Sequence, residues 1–153
     1  MLRRFVSYGR LGDPYAGHSI ICTAPSKTFN LAGLQASNIL IPDEDLRERF
    51  RAESSRNGYG EIGTMAKAGA EAAYTCGADW LDELIIYLQG NLDAMETFIK
   101  EHIPQVRMIR PEGTYLVWLD FSKTAGSPEQ VKHLIVDEAR LWLDNGGLFS
   151  KET

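Results

Sequence analysis

The chain has 153 residues, of which 44% are hydrophobic and 24% charged, an ordinary composition for one globular domain able to bury a core without disulfide or metal staples. Sixteen Lys and Arg stand against 21 Asp and Glu, a net charge of −5 with no basic block interleaved with aromatics, which argues against a nucleic-acid partner. No apolar stretch approaches the roughly 18 residues of a membrane span, so the expectation is a protein without membrane attachment.

The start, MLRRFVSYGRLGDPYAG, is positively charged but has no apolar run behind it, unlike a signal peptide. The expected compartment is the cytoplasm. Cys22 and Cys76 lie far apart with no CxxC pair, and His18, His102 and His133 are scattered singly, so no metal site is expected. The two cysteines read as free thiols in a reducing compartment, with a structural disulfide as the alternative.

His18 to Thr23 and Leu34 to Ile41 read as two short strands buried on both faces, with the turn APSKTFNLAG between them. Asp43 opens an acidic-first helix, DEDLRERFRAESS, followed by the glycine-rich loop RNGYGEIG. Within that loop Gly58, Gly60 and Gly63 spell GxGxxG. A dinucleotide site needs this pattern after a strand, whereas a polar helix precedes it here, so the reading is a plain connection. The small-residue segment TMAKAGAEAAYTC predicts a helix stopped by Gly77.

Asp79 is the expected N-cap of the longest helix, on which Leu81, Leu84, Ile85, Leu88, Leu92, Met95 and Ile99 recur at helical spacing up to the stop at Pro104. Its length, on the order of 35 Å, would let it bridge two structural units. Val106–Ile109 and Thr114–Asp120 predict strands around the turn Pro111, Glu112, Gly113. In such a strand Tyr115 faces one side and Trp118 and Asp120 the other, roles better suited to packing than to substrate contact. Ser127 to Gln130 form a capping box with Pro at N1, ahead of a helix expected to bury Val131, Leu134, Ile135 and Ala139. A short strand at Leu141–Leu143 and a turn DNGG follow.

Lys27 is the residue with the most chemical interest. It sits after an apolar strand, where α/β folds carry ligand-binding turns, among small and hydroxyl residues that suit a phosphate. A desolvated lysine there can act as an imine-forming amine, although most turn lysines are simply solvated charges.

The run APSKTFNLAGL resembles the lysine segment of fold-type I pyridoxal-phosphate enzymes, and especially that of the cystathionine-β-lyase-like carbon-sulfur lyases of the class I/II aminotransferase superfamily. AEAAYTCGADWLDELIIYLQGNLD is similar to that family's helix pair after the lysine, RPEGTYLVWLDFS to the hairpin of its C-terminal domain, and WLDNGGLF to the segment before its carboxylate-binding region. The resemblance implies an α/β chain that is a fragment of the PLP-transferase fold. Residues 1–78 would be the end of the cofactor-binding large domain, 79–103 the interdomain helix, and 104–153 an incomplete small α+β domain. The family's enzymes are much longer, so an excised C-terminal portion, inactive alone, is expected. The residues that stack on the cofactor ring and pair with its pyridine nitrogen, and the Arg that grips the substrate carboxylate, would lie in the absent part.

Residue by residue, Lys27 matches the cofactor-anchoring catalytic lysine, and Ser26 the hydroxyl that often contacts the cofactor beside it. Two departures stand out. Many aminotransferases have a Ser or Thr three residues before the lysine and an Arg eight after it, where this sequence has Ala24 and Gln35. Gln35 favours the lyase branch. The implied reaction is β-elimination from an amino acid with sulfur at Cβ. In it Lys27 yields the cofactor to substrate, removes the Cα proton, and the products are thiol, pyruvate and ammonia. The complete enzyme is expected to be a homodimer. An aminotransferase is the alternative enzyme, and a non-catalytic fragment acting only in assembly is the alternative outside catalysis.

Overall fold

The computed structural model describes residues 6–13, 15–124 and 126–150. Of the segment MLRRFVSYGRLGDPYAG, weighed above as a signal peptide, Met1 to Phe5 and Pro14 lie outside them. The described residues fall into two compact units, divided between Gln89 and Gly90.

In the first unit two short strands, β1 (Ile21–Thr23) and β2 (Asn38–Leu40), pair antiparallel with Ile21 opposite Leu40 and Thr23 opposite Asn38. Both are shorter than the apolar runs suggested. His18 belongs to a 3-10 turn, Ala16–His18, and Leu34 to another, Ala32–Leu34. Nor are they buried on both faces: Ile39 and Leu40 are exposed, because a pair of strands with no third strand beside it among the described residues has little to pack against. Ala36 and Ile41, flanking β2, are the residues that reach the core.

Helix α1 (Glu44–Arg56) opens on Asp43, whose carboxylate accepts from the Leu46 amide at 2.7 Å. This satisfies one of the orphan donors of the first turn. The glycine loop follows, with Gly58 at a φ of 75° that excuses its lack of a side chain, and it joins two helices as expected. Helix α2 (Thr64–Cys76) occupies the predicted residues and buries Ala66 and Ala73.

Helix α3 (Ala78–His102) begins two residues before its expected start. Gly77 serves both helices: its amide donates to the Ala73 carbonyl and its carbonyl accepts from Leu81, at 3.1 and 3.0 Å. Asp79 is therefore inside the first turn rather than the N-cap, where its negative charge still complements the helix dipole. At 25 residues α3 spans roughly 37 Å, and the division between the two units falls within it, at Gln89 and Gly90. Its apolar ladder is inward as expected except for Met95, which is exposed.

In the second unit Ile99 and Val106 are buried, and β3 (Arg107–Ile109) pairs antiparallel with β4 (Trp118–Asp120). Strand β4 starts at Trp118, so Tyr115 lies outside it and the facing expected for that residue does not apply. Thr114, in the preceding turn, has a φ of 66°, which ends extended backbone there. Trp118 meets the ring of Phe149 edge-on at 5.8 Å, and Asp120 pairs with its cross-strand partner Arg107 at 3.3 Å. Arg110, just past β3, bridges to Asp93 at 2.6 Å and to Glu96 at 3.0 Å on α3, while Lys100 holds the other oxygen of Glu96 at 2.7 Å.

Helix α4 (Pro128–His133) carries the full capping box. The Ser127 hydroxyl accepts from the Gln130 amide, and the Gln130 side chain accepts from the Ser127 amide at 2.7 Å. The helix then changes winding to a π-helix, Leu134–Glu138. Val131 and Ile135 are half-buried as expected, but Leu134 and Ala139 are exposed and Val136 turns inward instead. The altered winding moves the inward stripe by one position. The strand expected at Leu141–Leu143 does not form. Arg140 takes a left-handed φ of 54° and the Leu141 amide reaches back to the Ile135 carbonyl at 2.9 Å, so the chain reverses where a strand would have to extend. The Asn145 side chain then accepts from Gly147, shaping the expected turn.

Candidate functional site

Lys27 lies in the turn that leaves β1. Pro25 is buried, and its carbonyl accepts from the Phe29 amide at 2.9 Å, while the Ser26 carbonyl accepts from Leu31 at 2.9 Å. These two closures wrap the backbone around Lys27. Asn30 completes the curl with a φ of 54°, a conformation that asparagine tolerates better than most residues. The Lys27 side chain is exposed and Ser26 is half-buried. Among the described residues neither the Lys27 ammonium nor the Ser26 hydroxyl has a protein partner.

The turn is pinned to the helices by two apolar side chains, each opposite a glycine. The Phe29 ring lies so close to Gly77 that a Cβ there would stand 2.5 Å from its Cε1, and it also packs against Trp80 with ring centres 5.8 Å apart. Leu34 covers Gly69 in the same way, where a Cβ would stand 2.6 Å from its Cδ1. A Cβ at Gly77 would run into the Ala73 backbone carbonyl as well as the Phe29 ring, whereas at Gly69 it would meet only the flexible end of Leu34. Phe29 and Leu34 were not singled out from the sequence. The available signal was Gly69, an isolated glycine in an alanine-rich helix, which marks a close approach.

The second departure, Gln35, ends the 3-10 turn with a left-handed φ of 53° and is exposed. Ala24 is exposed at the exit of β1. Cys22 and Cys76 are both exposed and unbonded. No helix among the described residues is long and apolar enough to cross a membrane.

The arrangement offers an accessible lysine without a partner among the described residues, on a backbone fixed at both ends, beside a hydroxyl.

No family model matches the chain. It is 42% identical over 139 residues to cystathionine β-lyase PatB of Bacillus subtilis, an alignment covering 91% of this chain and 36% of that protein. Among solved structures it resembles cystalysin from Treponema denticola, which contains a pyridoxal 5'-phosphate cofactor. The TM-score is 0.92 at 29% identity, over 98% of this chain and 38% of that one. It also resembles the PLP-bound C-S lyase from Staphylococcus hominis, with a TM-score of 0.71 at 28% identity over 86% of this chain and 34% of that one. The chain spans about a third of the length of the curated relatives it matches. It is a homologue of the C-terminal region of cystathionine β-lyases, and its α/β architecture is part of the fold of those PLP-bound enzymes.

Proposed function

We propose that this chain, homologous to the C-terminal region of cystathionine β-lyases, belongs to a pyridoxal-phosphate-dependent carbon-sulfur β-lyase in which Lys27 is the catalytic residue. What supports this reading above all is the accessible, backbone-fixed amine of Lys27 in a chain that matches PatB along nearly its whole length.

The donor set of the turn fits the cofactor. Lys27 would hold it through its amine, and the Ser26 hydroxyl would donate to it. When bound, pyridoxal phosphate supplies an electron sink for the charge left at the substrate Cα. The Lys27 amine is also the base that takes the Cα proton, a task that needs a neutral amine at a fixed position. The substrate class is an amino acid with sulfur at Cβ, which leaves as thiolate. Residues 1–78 belong in this reading to the cofactor-binding domain, 79–103 to a helix shared with the small domain, and 104–153 to that small domain. The complete protein acts as a homodimer in the cytoplasm, a compartment that suits two exposed thiols.

The test supplies cystathionine to the complete protein, loaded with pyridoxal phosphate, in the absence of any keto acid. Repeated turnover to pyruvate and ammonia, lost in Lys27→Ala, is the expected result. Activity that appears only when a keto acid accepts the amino group would assign an aminotransferase instead.

A further inference from the structure

We infer that Phe29 is a positioning residue for Lys27, fixing the lysine turn from a clamp formed by Gly77 and Trp80. The inference rests on the functional reading above and extends it to a residue that touches neither substrate nor cofactor in that reading.

Lys27 is the middle residue of the five-residue span Pro25 to Phe29, and both ends of that span are held. Pro25 is buried, with its φ set by its own ring. Phe29 closes the span through its amide, which donates to the Pro25 carbonyl at 2.9 Å, and anchors it through its ring. The ring sits over Gly77, where a Cβ would come within 2.5 Å of Cε1 and 3.1 Å of Cζ, and is tilted 31° against Trp80. With the backbone immobilised on either side, the Lys27 amine is left with side-chain freedom only. A reacting group confined in this way gains effective concentration at its target, whereas displacement by an ångström can cost orders of magnitude in rate. The second anchor, Leu34 on Gly69, holds the same segment to α2 but lies beyond the left-handed Asn30 and outside the closed span. Leu34 thus provides a control: comparable packing, without a grip on the lysine turn.

The experiment uses the complete polypeptide stripped of cofactor. Pyridoxal phosphate is added, and the rate at which a borohydride-reducible linkage forms at Lys27 is followed by absorption and peptide mapping. Phe29→Ala is expected to slow formation by about tenfold, Phe29→Leu by less, and Leu34→Ala by no more than about twofold. Thermal unfolding of each variant gives the accompanying loss of stability. Should Phe29→Ala fail to fold, Phe29→Leu and Trp80→Ala supply the comparison, the latter because it removes the ring against which Phe29 packs. An unchanged rate in the Phe29 series, or equal slowing by Leu34→Ala at equal loss of stability, overturns the inference. Linkage at a lysine other than Lys27 in the unaltered protein overturns the functional reading and this inference with it.

Discussion

The side-chain amide of Asn38 donates to the phenolic oxygen of Tyr74 at 2.9 Å, tying β2 to α2. Both residues are exposed, so water competes for the bond and the net gain is small. Tyr74→Phe should therefore destabilise the fold by only about 0.5 kcal/mol. Denaturant unfolding of the two proteins measures it, and a loss several times larger would mean that the ring as well as the hydroxyl had been displaced.

The Glu96 carboxyl is held below its ordinary value of 4.5, first by the hydrogen bond from Lys100 and next by that from Arg110. A carboxyl lowered in the folded state stabilises the protein above the unfolded value, and the contribution disappears as pH falls through the lowered one. Stability should thus decline on acidification below about pH 4.5. Lys100→Met should flatten that decline more than Arg110→Met. The pairs are exposed, so added salt should weaken the difference. Unfolding curves from pH 6 to pH 3 at low and high salt provide the check; identical acid limbs in all three proteins would refute it.

Ser127 and Gln130 satisfy each other's amides at the start of α4. Ser127→Ala removes the hydroxyl acceptor and should cost about 1 kcal/mol. The loss should appear as faster amide exchange at Glu129, Gln130 and Val131, with β3 and β4 unaffected.

Arg140 holds a φ of 54° where glycine would be unstrained. Arg140→Gly should raise stability by about 0.5 kcal/mol, the relief of left-handed strain being partly offset by glycine's greater freedom when unfolded. A thermal melt decides the sign.

What could be read from the sequence was local. Thr64–Cys76 has strong helix formers, a glycine after it and no competing signal, and it folds as one helix. Ser127, Pro128 and Gln130 encode their own cap within four residues. Strand lengths were less legible, because an apolar run such as His18–Thr23 is strand only where another strand pairs with it, and β2 does so over three residues. Leu141–Leu143 shows the same dependence: an apolar run without a partner strand yields to the left-handed Arg140 before it. At the candidate site, the lysine turn could be located from its position after an apolar segment. Its attachment could not, since Phe29 meets Gly77 and Trp80 through folding alone, and nothing adjacent to Phe29 announces them.

The π-winding of Leu134–Glu138 has a consequence for how this helix can vary. The Ala139 amide donates to the Leu134 carbonyl at 2.8 Å, five residues back, so the turn holds one residue more than an α-helical turn would. Deleting a single residue within 134–138 would remove the surplus and let α-winding run through, rotating the residues before it by roughly 100° less than an indel in a regular helix must. This stretch is thus the place where α4 can lose one amino acid while Pro128–His133 and the reversal at Arg140 keep their facing, a tolerance to length change that the regular helices α1, α2 and α3 lack.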